Sequence, residues 1–200
     1  MTKKVLSIAG GMVVILFTLL FILYSLFTGP DDLSVFMPRE TSPYVLPYPK
    51  GVSRFCVQGV RGIVSHRGKS RYAYDFYMPV GSDICAARAG EVTKVVDSYD
   101  GNGVNWPNNV IWVLHEDGTR ACYAHIRKGG AKVKTGQQVV QGEVIAASGN
   151  VGNSMMPHLH FHVFDPESAM TQPISFYDVQ RHAGVPRMFH WYISQESEKR

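Results

Sequence analysis

The sequence predicts a mainly β protein, a single antiparallel β-sheet or barrel-sandwich-like domain that follows one N-terminal transmembrane helix. An almost unbroken apolar stretch from Val5 to Phe27 predicts the helix. Beyond about Ser53, short β-rich runs alternate with turn signals, and this pattern predicts the β domain. Within that domain, only the region near Ile174 to Arg181 suggests helical periodicity.

The apolar stretch has the length and the flanks of a membrane anchor. At about 1.5 Å per residue it is roughly 34 Å long, enough to cross a hydrocarbon core of about 30 Å. Lys3 and Lys4 precede it and Asp31 follows it, so we expect the remainder of the chain on the outer side of the membrane. A cleaved signal peptide is the alternative, but Leu23–Phe27 lacks the pair of small residues at which cleavage occurs. We therefore assign residues 1–28 to a transmembrane signal anchor.

Three further segments follow the anchor. Residues 29–49 contain five prolines and little periodicity, which predicts a semi-extended linker. Residues 50–180 are predicted to form one β domain, long enough to bury its own core. Residues 181–200 form a C-terminal extension that is expected either to pack over the domain or to contact a partner.

Strands are predicted where apolar and β-branched residues cluster between turns. The predicted strands are Ile84 to Ala87, Glu91 to Val96, Val110 to His115, Thr119 to His125 and Leu159 to Phe164. Asp117-Gly118 separates two of these runs and is a strong hairpin signal.

Charge and cysteine content exclude some classes of protein. Without Lys3 and Lys4, 18 basic residues face 16 acidic ones, and no long basic stripe is present, so nucleic-acid binding is not predicted. Cys56, Cys85 and Cys122 lack C-x-x-C spacing and allow at most one internal disulfide. Cys122 is predicted to be a packed side chain, because it points away from the face that Tyr123 is expected to share with His125.

The histidines of the run His158–His162 indicate a metal site. Alternate residues of a β-strand share one face, so its three imidazoles should point the same way. Upstream, His66 and Asp75 bracket a glycine-containing loop, and His125 ends an alternating apolar run. Imidazole nitrogens with one carboxylate, and one coordination position left open, describe a catalytic zinc site better than a structural one.

Several ordered motifs between about residues 50 and 165 resemble one known family. They are Ser65-His66-Arg67-Gly68, Tyr74-Asp75-Phe76, Pro79-Val80-Gly81, Ala87-Arg88-Ala89-Gly90, Tyr123-Ala124-His125, Ser148-Gly149-Asn150-Val151-Gly152 and Pro157-His158-Leu159-His160-Phe161. The chain resembles the lysostaphin/LytM-type zinc metallopeptidases, whose fold is the duplicated hybrid motif type.

The resemblance implies a ligand set and a reaction. His66, Asp75 and His160 would bind one Zn²⁺ per chain, and His125 and His158 would be catalytic histidines that do not bind the metal. The implied function is a zinc metalloendopeptidase that hydrolyses peptide bonds in cell-wall peptidoglycan, either crosslinks or bridges. The membrane tether favours remodelling of the cell's own wall, with the catalytic domain on the outer (periplasmic or extracytoplasmic) side.

Two positions depart from the family pattern. His66 and Asp75 are nine positions apart, where the commonest family spacing is H-x-x-x-D, which leaves the local loop shape and the substrate fit open. His162 occupies a position that is often not histidine, and we expect it either to partner His160 or to pack beneath the site.

Two other functions remain as alternatives. One is a noncatalytic, peptidoglycan-binding activator of another wall hydrolase, although such relatives typically lose one or more site positions. The other is a peptidase that acts on an exported protein. A regulatory protein partner is compatible with each of these functions.

Overall fold

The structure is a computed structural model that describes residues 11–20, 23 and 32–195. This part of the chain contains eleven strands: β1 (Ser53–Gln58), β2 (Tyr74–Tyr77), β3 (Asp83–Cys85), β4 (Gly90–Val96), β5 (Val110–Leu114), β6 (Arg120–Ala124), β7 (Ile126–Ala131), β8 (Gln138–Val139), β9 (Val144–Ser148), β10 (His158–Phe164) and β11 (Trp191–Ile193). Residues 11–20 are helical, and short 3-10 helices span Arg39–Thr41, Gly68–Ser70 and His182–Gly184. The predicted mainly β class is confirmed.

The strands form two antiparallel sheets. The larger sheet has eight strands in the order β11-β1-β2-β10-β6-β5-β4-β8, and the smaller has three in the order β3-β9-β7. Strand β10 lies between β2 and β6, so it is hydrogen-bonded on both edges. The residues of the predicted metal site therefore lie on interior strands of the larger sheet or on loops beside them.

The predicted strands are confirmed, with ends that shift by a few residues, as β3, β4, β5, β6 and β10. The predicted hairpin is confirmed as well, because Asp117-Gly118 joins β5 to β6 and Gly118 adopts a φ of 84°. The helical periodicity near Ile174 to Arg181 was misleading, since no helix forms there. The Phe176 amide donates instead to the Gly184 carbonyl, so tertiary contacts rather than a helix satisfy this backbone.

One face of β10 forms the centre of the hydrophobic core. Leu159, Phe161 and Val163 are fully buried, and Tyr123 of β6 packs its ring against Phe161 with the centroids 5.1 Å apart. Burial of large side chains of this kind contributes about 1.5–3 kcal/mol each. The core therefore holds β10 in one register, and that register decides where its histidines lie.

The segments predicted as linker and C-terminal extension both pack on this core. Tyr44, Leu46 and Tyr48 are buried, and the Leu46 amide donates to the Asp178 carboxylate at 2.9 Å. In the C-terminal segment, β11 pairs with β1 at the edge of the larger sheet. The proposed divisions at residues 28, 49 and 180 stay predictions, but within 32–195 these segments share one hydrophobic cluster.

Most of the predicted anchor, residues 1–28, lies outside the described residues. Among the residues that are described, no helix is both long enough and apolar enough to span a membrane.

We predict that Leu46→Ala lowers the free energy of unfolding by about 2–5 kcal/mol, because it leaves a cavity in the core. Met37→Ala, in the same segment but on an exposed side chain, is the matched control and should change it by about 0.5 kcal/mol or less. Urea denaturation of the two variants measures both values. Equal stability of the two variants would contradict the packing described for residues 32–49.

Candidate metal centre

Three residues from separate parts of the chain converge at one point. His66 lies on the loop between β1 and β2, Asp75 belongs to β2, and His160 belongs to β10, where it is the direct cross-strand neighbour of Asp75. One ligand atom from each residue lies within 4.8 Å of the others, and within the described ranges this is the one group of three with such geometry. The predicted ligand set is therefore brought together by strand pairing and by one loop.

The His66 imidazole is held with a free lone pair facing this point. Its Nδ1 donates to the Gly59 carbonyl at 2.7 Å, so in the neutral ring the lone pair is on Nε2. The Nε2 atom is buried without a hydrogen-bond partner and lies 3.2 Å from Asp75 Oδ2. A buried nitrogen acceptor with no donor is costly, and a metal ion is the partner that would satisfy it.

The His160 ring directs its Nδ1 toward the same point, whereas His66 directs its Nε2 there. Its Nδ1 lies 2.7 Å from Asp75 Oδ1, and its Nε2 lies 3.0 Å from His162 Nδ1. Coordination through Nδ1 requires the tautomer with the proton on Nε2, and His162 Nδ1 is placed to accept that proton in a hydrogen bond. Of the two expectations for His162, this contact favours the partner of His160.

Asp75 supplies the negative charge of the site. Burial raises the pKa of this carboxyl, but the adjacent His66 and His160 rings outweigh it and hold the pKa well below its usual range. Gln58 also donates to Oδ2 at 2.9 Å. The group is consequently a carboxylate, the form in which it can bind a cation.

His125 and His158 form a second pair of imidazoles beside the ligands. Their ring centroids are 4.5 Å apart. Each ring donates from Nδ1 to a backbone carbonyl, His125 to Val151 at 2.7 Å and His158 to Met156 at 2.8 Å. With Nδ1 as the donor, the lone pair of each neutral ring is on Nε2, where it can act as a base. His158 Nε2 is 3.8 Å from Asp75 Oδ1, which puts this base beside the ligand cluster.

Burial keeps His125 and His162 neutral. Burial is the main cause, and together with the neighbouring His158 and His160 rings it lowers the pKa of His125 to about 3. Burial likewise lowers the pKa of His162 to about 3, again with a contribution from His160. At neutral pH His125 is thus present as a base, and His162 as an uncharged hydrogen-bond partner.

The backbone conformation at His125 directs its side chain toward the site. Ala124 pairs with His160, so regular alternation would place His125 on the core face with Tyr123. Strand β6 ends at Ala124, and His125 instead adopts a φ of 65°, while its amide donates to Asn108 Oδ1 at 3.2 Å. The expectation that Tyr123 and His125 share a face was therefore wrong, because the left-handed backbone reverses the side-chain direction.

Tyr123 and the cysteines lie outside the reactive centre. The Tyr123 side chain is fully buried, and its hydroxyl accepts a hydrogen bond from the Ala87 amide at 2.8 Å, so it packs in the core. Cys56, Cys85 and Cys122 are free and buried. Burial raises the pKa of Cys122 to about 12, which removes it as a nucleophile and confirms it as a packed side chain.

The sequence did not indicate three groups that organise the site. Gln58, at the end of β1, contacts both Asp75 and the loop that carries His66. The carbonyls of Val151 and Met156 accept hydrogen bonds from Nδ1 of His125 and His158 and so fix the tautomers of these two rings. Every residue has a backbone carbonyl, so the sequence cannot show which carbonyl accepts a given hydrogen bond. The role of Gln58 depends on the pairing of segments that are distant in the sequence.

A buried carboxylate and two imidazoles at one point, with two further imidazoles beside them, form the donor set of a metal-dependent hydrolase. The sequence profile of peptidase family M23 matches residues 69–173, a little more than half of the 200-residue chain. The chain belongs to this family, so the resemblance is confirmed. His66 lies just before the matched stretch, and its place in the site rests on the geometry above.

The chain is similar to two curated relatives over this region. It is 33% identical over 116 residues to lysostaphin from Staphylococcus simulans, covering 58% of this chain and 19% of the relative. It is 34% identical over 99 residues to the peptidoglycan DD-endopeptidase ShyC from Vibrio cholerae, covering 50% of this chain and 20% of the relative. The chain thus spans about a fifth of the length of these relatives.

The fold also occurs among solved structures. The M23 metalloprotease pseudoalterin, a deep-sea protein, is 17% identical with a TM-score of 0.54, and the match covers 76% of this chain and 99% of the other. At this identity the likeness shows the shared fold. It agrees with the antiparallel architecture described above.

We predict that His162→Ala weakens binding of a divalent metal by about 10–100-fold, because His160 loses the acceptor that orients its ring. Competition between the protein and a chromogenic chelator for Zn²⁺ measures the affinity. His190→Ala is the matched control, since His190 bonds to the Met188 carbonyl rather than to a ligand residue. If both variants bind Zn²⁺ as the unsubstituted chain does, His162 only packs beneath the site.

Proposed function

We propose that the protein is a membrane-anchored zinc metalloendopeptidase that hydrolyses peptide bonds in cell-wall peptidoglycan. The observation that carries the proposal is the unpartnered, buried Nε2 of His66, which faces Asp75 and His160. Membership of peptidase family M23 supports peptide-bond hydrolysis. The name of the relative ShyC, a peptidoglycan DD-endopeptidase, supports the substrate class.

The residues present fit a zinc ion. His66 Nε2, the Asp75 carboxylate and His160 Nδ1 would hold it, two imidazoles and one carboxylate being a common ligand set for catalytic zinc. When bound there, zinc supplies a Lewis acid that polarises a carbonyl and lowers the pKa of water to about 7. Asp75 is charged and His66 is in the required tautomer, so little rearrangement of these two residues is needed.

His125 and His158 would move protons during hydrolysis. Each ring bonds to a carbonyl through Nδ1, so each can accept a proton at Nε2 from the attacking water and then donate that proton to the leaving amine. The bonds from Nδ1 to the Val151 and Met156 carbonyls hold the rings in orientation through both steps. The same bonds stabilise the imidazolium form while the proton is held.

The test uses the purified full-length chain and isolated peptidoglycan, with the released fragments identified by mass spectrometry. We expect cleavage that a chelator abolishes and Zn²⁺ restores. His66→Ala and Asp75→Ala should lose bound zinc, whereas His125→Ala and His158→Ala should retain zinc and lose about 10²–10⁴-fold in turnover. His190→Ala should retain both zinc and turnover, since it lies outside the site.

Two results would overturn this proposal. Loss of zinc in His125→Ala or His158→Ala would contradict the division between ligands and catalytic histidines. Zinc binding by a folded chain that releases no peptidoglycan fragments would favour the noncatalytic activator, or a peptidase for an exported protein.

The location we propose is the outer face of the cell membrane. The apolar stretch from Val5 to Phe27 and the preceding Lys3 and Lys4 support this location. We expect the full-length chain, expressed in bacteria, to stay with carbonate-washed membranes, and a C-terminal tag to be cleaved by protease added from the outer side. Recovery of the chain in the carbonate supernatant, or protection of the tag, would contradict the proposed anchor or its orientation.

A further inference from the structure

We infer that Gln58 is a positioning residue that ties the His66 loop to Asp75 and thereby sets the metal affinity of the site. The inference rests on the proposed metal centre and adds a residue to it that is not itself a ligand. Gln58 is the last residue of β1 and only 5% exposed. Its carboxamide lies between the two chain segments that supply His66 and Asp75.

Every hydrogen-bonding position of this carboxamide is used. Nε2 donates to Asp75 Oδ2 at 2.9 Å and to Ser65 Oγ at 2.8 Å. Oε1 accepts from the amides of Val64 at 3.0 Å and Ser65 at 3.2 Å. A carboxamide has two N–H donors and two acceptor lone pairs, so the group is saturated. Three of its bonds hold the two residues just before His66, and the fourth holds Asp75.

The loop needs such a tie because it is long. His66 and Asp75 are nine positions apart, and the residues between β1 and β2 include a single short 3-10 helix, Gly68–Ser70. Ordering the residues of a loop costs conformational entropy, and a ligand on a loose loop would bind metal weakly. The loop closes tightly over the carboxamide, since a β-carbon at Gly62 would collide with Gln58 Cγ.

The chemistry of the donor also suits a metal ligand. The Gln58 N–H bonds to Asp75 Oδ2 and so restrains rotation of the carboxylate, while Oδ1 faces His160 Nδ1 at 2.7 Å. A carboxamide is uncharged and leaves the negative charge of Asp75 available to a cation. A lysine or arginine at this position would instead neutralise that charge and compete with the metal.

The test compares Gln58→Met with the unsubstituted full-length chain. Methionine matches glutamine in length but offers neither the donors nor the strong acceptor, so all four bonds are lost. We expect the dissociation constant for Zn²⁺, measured by chelator competition, to rise by about 10–100-fold. We also expect the Val64 and Ser65 amides to exchange faster with deuterium, because their acceptor is gone. The absorption spectrum of the Co²⁺-substituted protein should change as well.

Gln141→Met is the matched control. The Gln141 carboxamide also donates to two acceptors, the Pro43 carbonyl at 2.7 Å and the Ala87 carbonyl at 2.9 Å, but neither belongs to the site. This variant should leave the Zn²⁺ dissociation constant, the Co²⁺ spectrum and the exchange of Val64 and Ser65 unchanged. Equal loss of Zn²⁺ affinity in both variants would show that affinity follows general stability, and would overturn the positioning role.

A milder variant decides the question if Gln58→Met does not fold. Ser65→Ala removes a single acceptor of Gln58 and should weaken Zn²⁺ binding in the same direction by a smaller factor. Unchanged Zn²⁺ affinity in a folded Gln58→Met variant, or in Ser65→Ala where only that variant folds, would overturn the inference and leave the proposed function intact. Failure of the unsubstituted chain to bind Zn²⁺ would overturn both.

Discussion

The register of β10 is the constraint on which the site depends. Leu159, Phe161 and Val163 face the core and are fully buried, so the alternate residues His158 and His160 must face the opposite side. A slip of one residue would move the histidines to the core face and the core side chains to the opposite face, at a cost of about 1.5–3 kcal/mol for each apolar residue that becomes exposed. The burial that stabilises the sheet therefore also fixes the direction in which His158 and His160 point.

Because β10 pairs with a strand on each side, its register also fixes where the neighbouring residues of the metal centre lie. On one side β2 places Asp75 directly opposite His160, and on the other side β6 places Ala124 opposite the same residue. The small alanine is followed by the left-handed turn at His125, which brings that imidazole back toward His158. Such a backbone costs about 1–3 kcal/mol, and it persists because neighbouring bonds hold it, including the one that the His125 amide donates to Asn108 Oδ1.

The parts of the structure that local pattern controls were predictable from sequence. The alternation of His158 and His160 and the Asp117-Gly118 hairpin each depend on a few neighbouring residues, and both are present. Strand β2 was missed because Tyr74, Asp75 and Phe76 are all buried, which removes the alternation that marks a half-exposed strand. The convergence of His66 with Asp75 followed only from the family resemblance, since nothing in the spacing of the two residues shows the loop's path.

The C-terminal segment illustrates a dependence that local pattern cannot reveal. The Gly59 carbonyl fixes the tautomer of His66, and Gly59 itself lies against the backbone of Pro186, where an added β-carbon would be only 3.0 Å from the carbonyl oxygen. The Phe189 amide donates to the Cys56 carbonyl, and the Cys56 amide donates to the His190 carbonyl.

Residues 186–190 thus line the end of β1 from which the His66 loop departs. A carbonyl that must hold an imidazole within hydrogen-bonding distance needs a backbone that does not move, and the packing of residues 186–188 against Gly59 restrains that backbone. The segment supports the site through the peptide that orients a ligand.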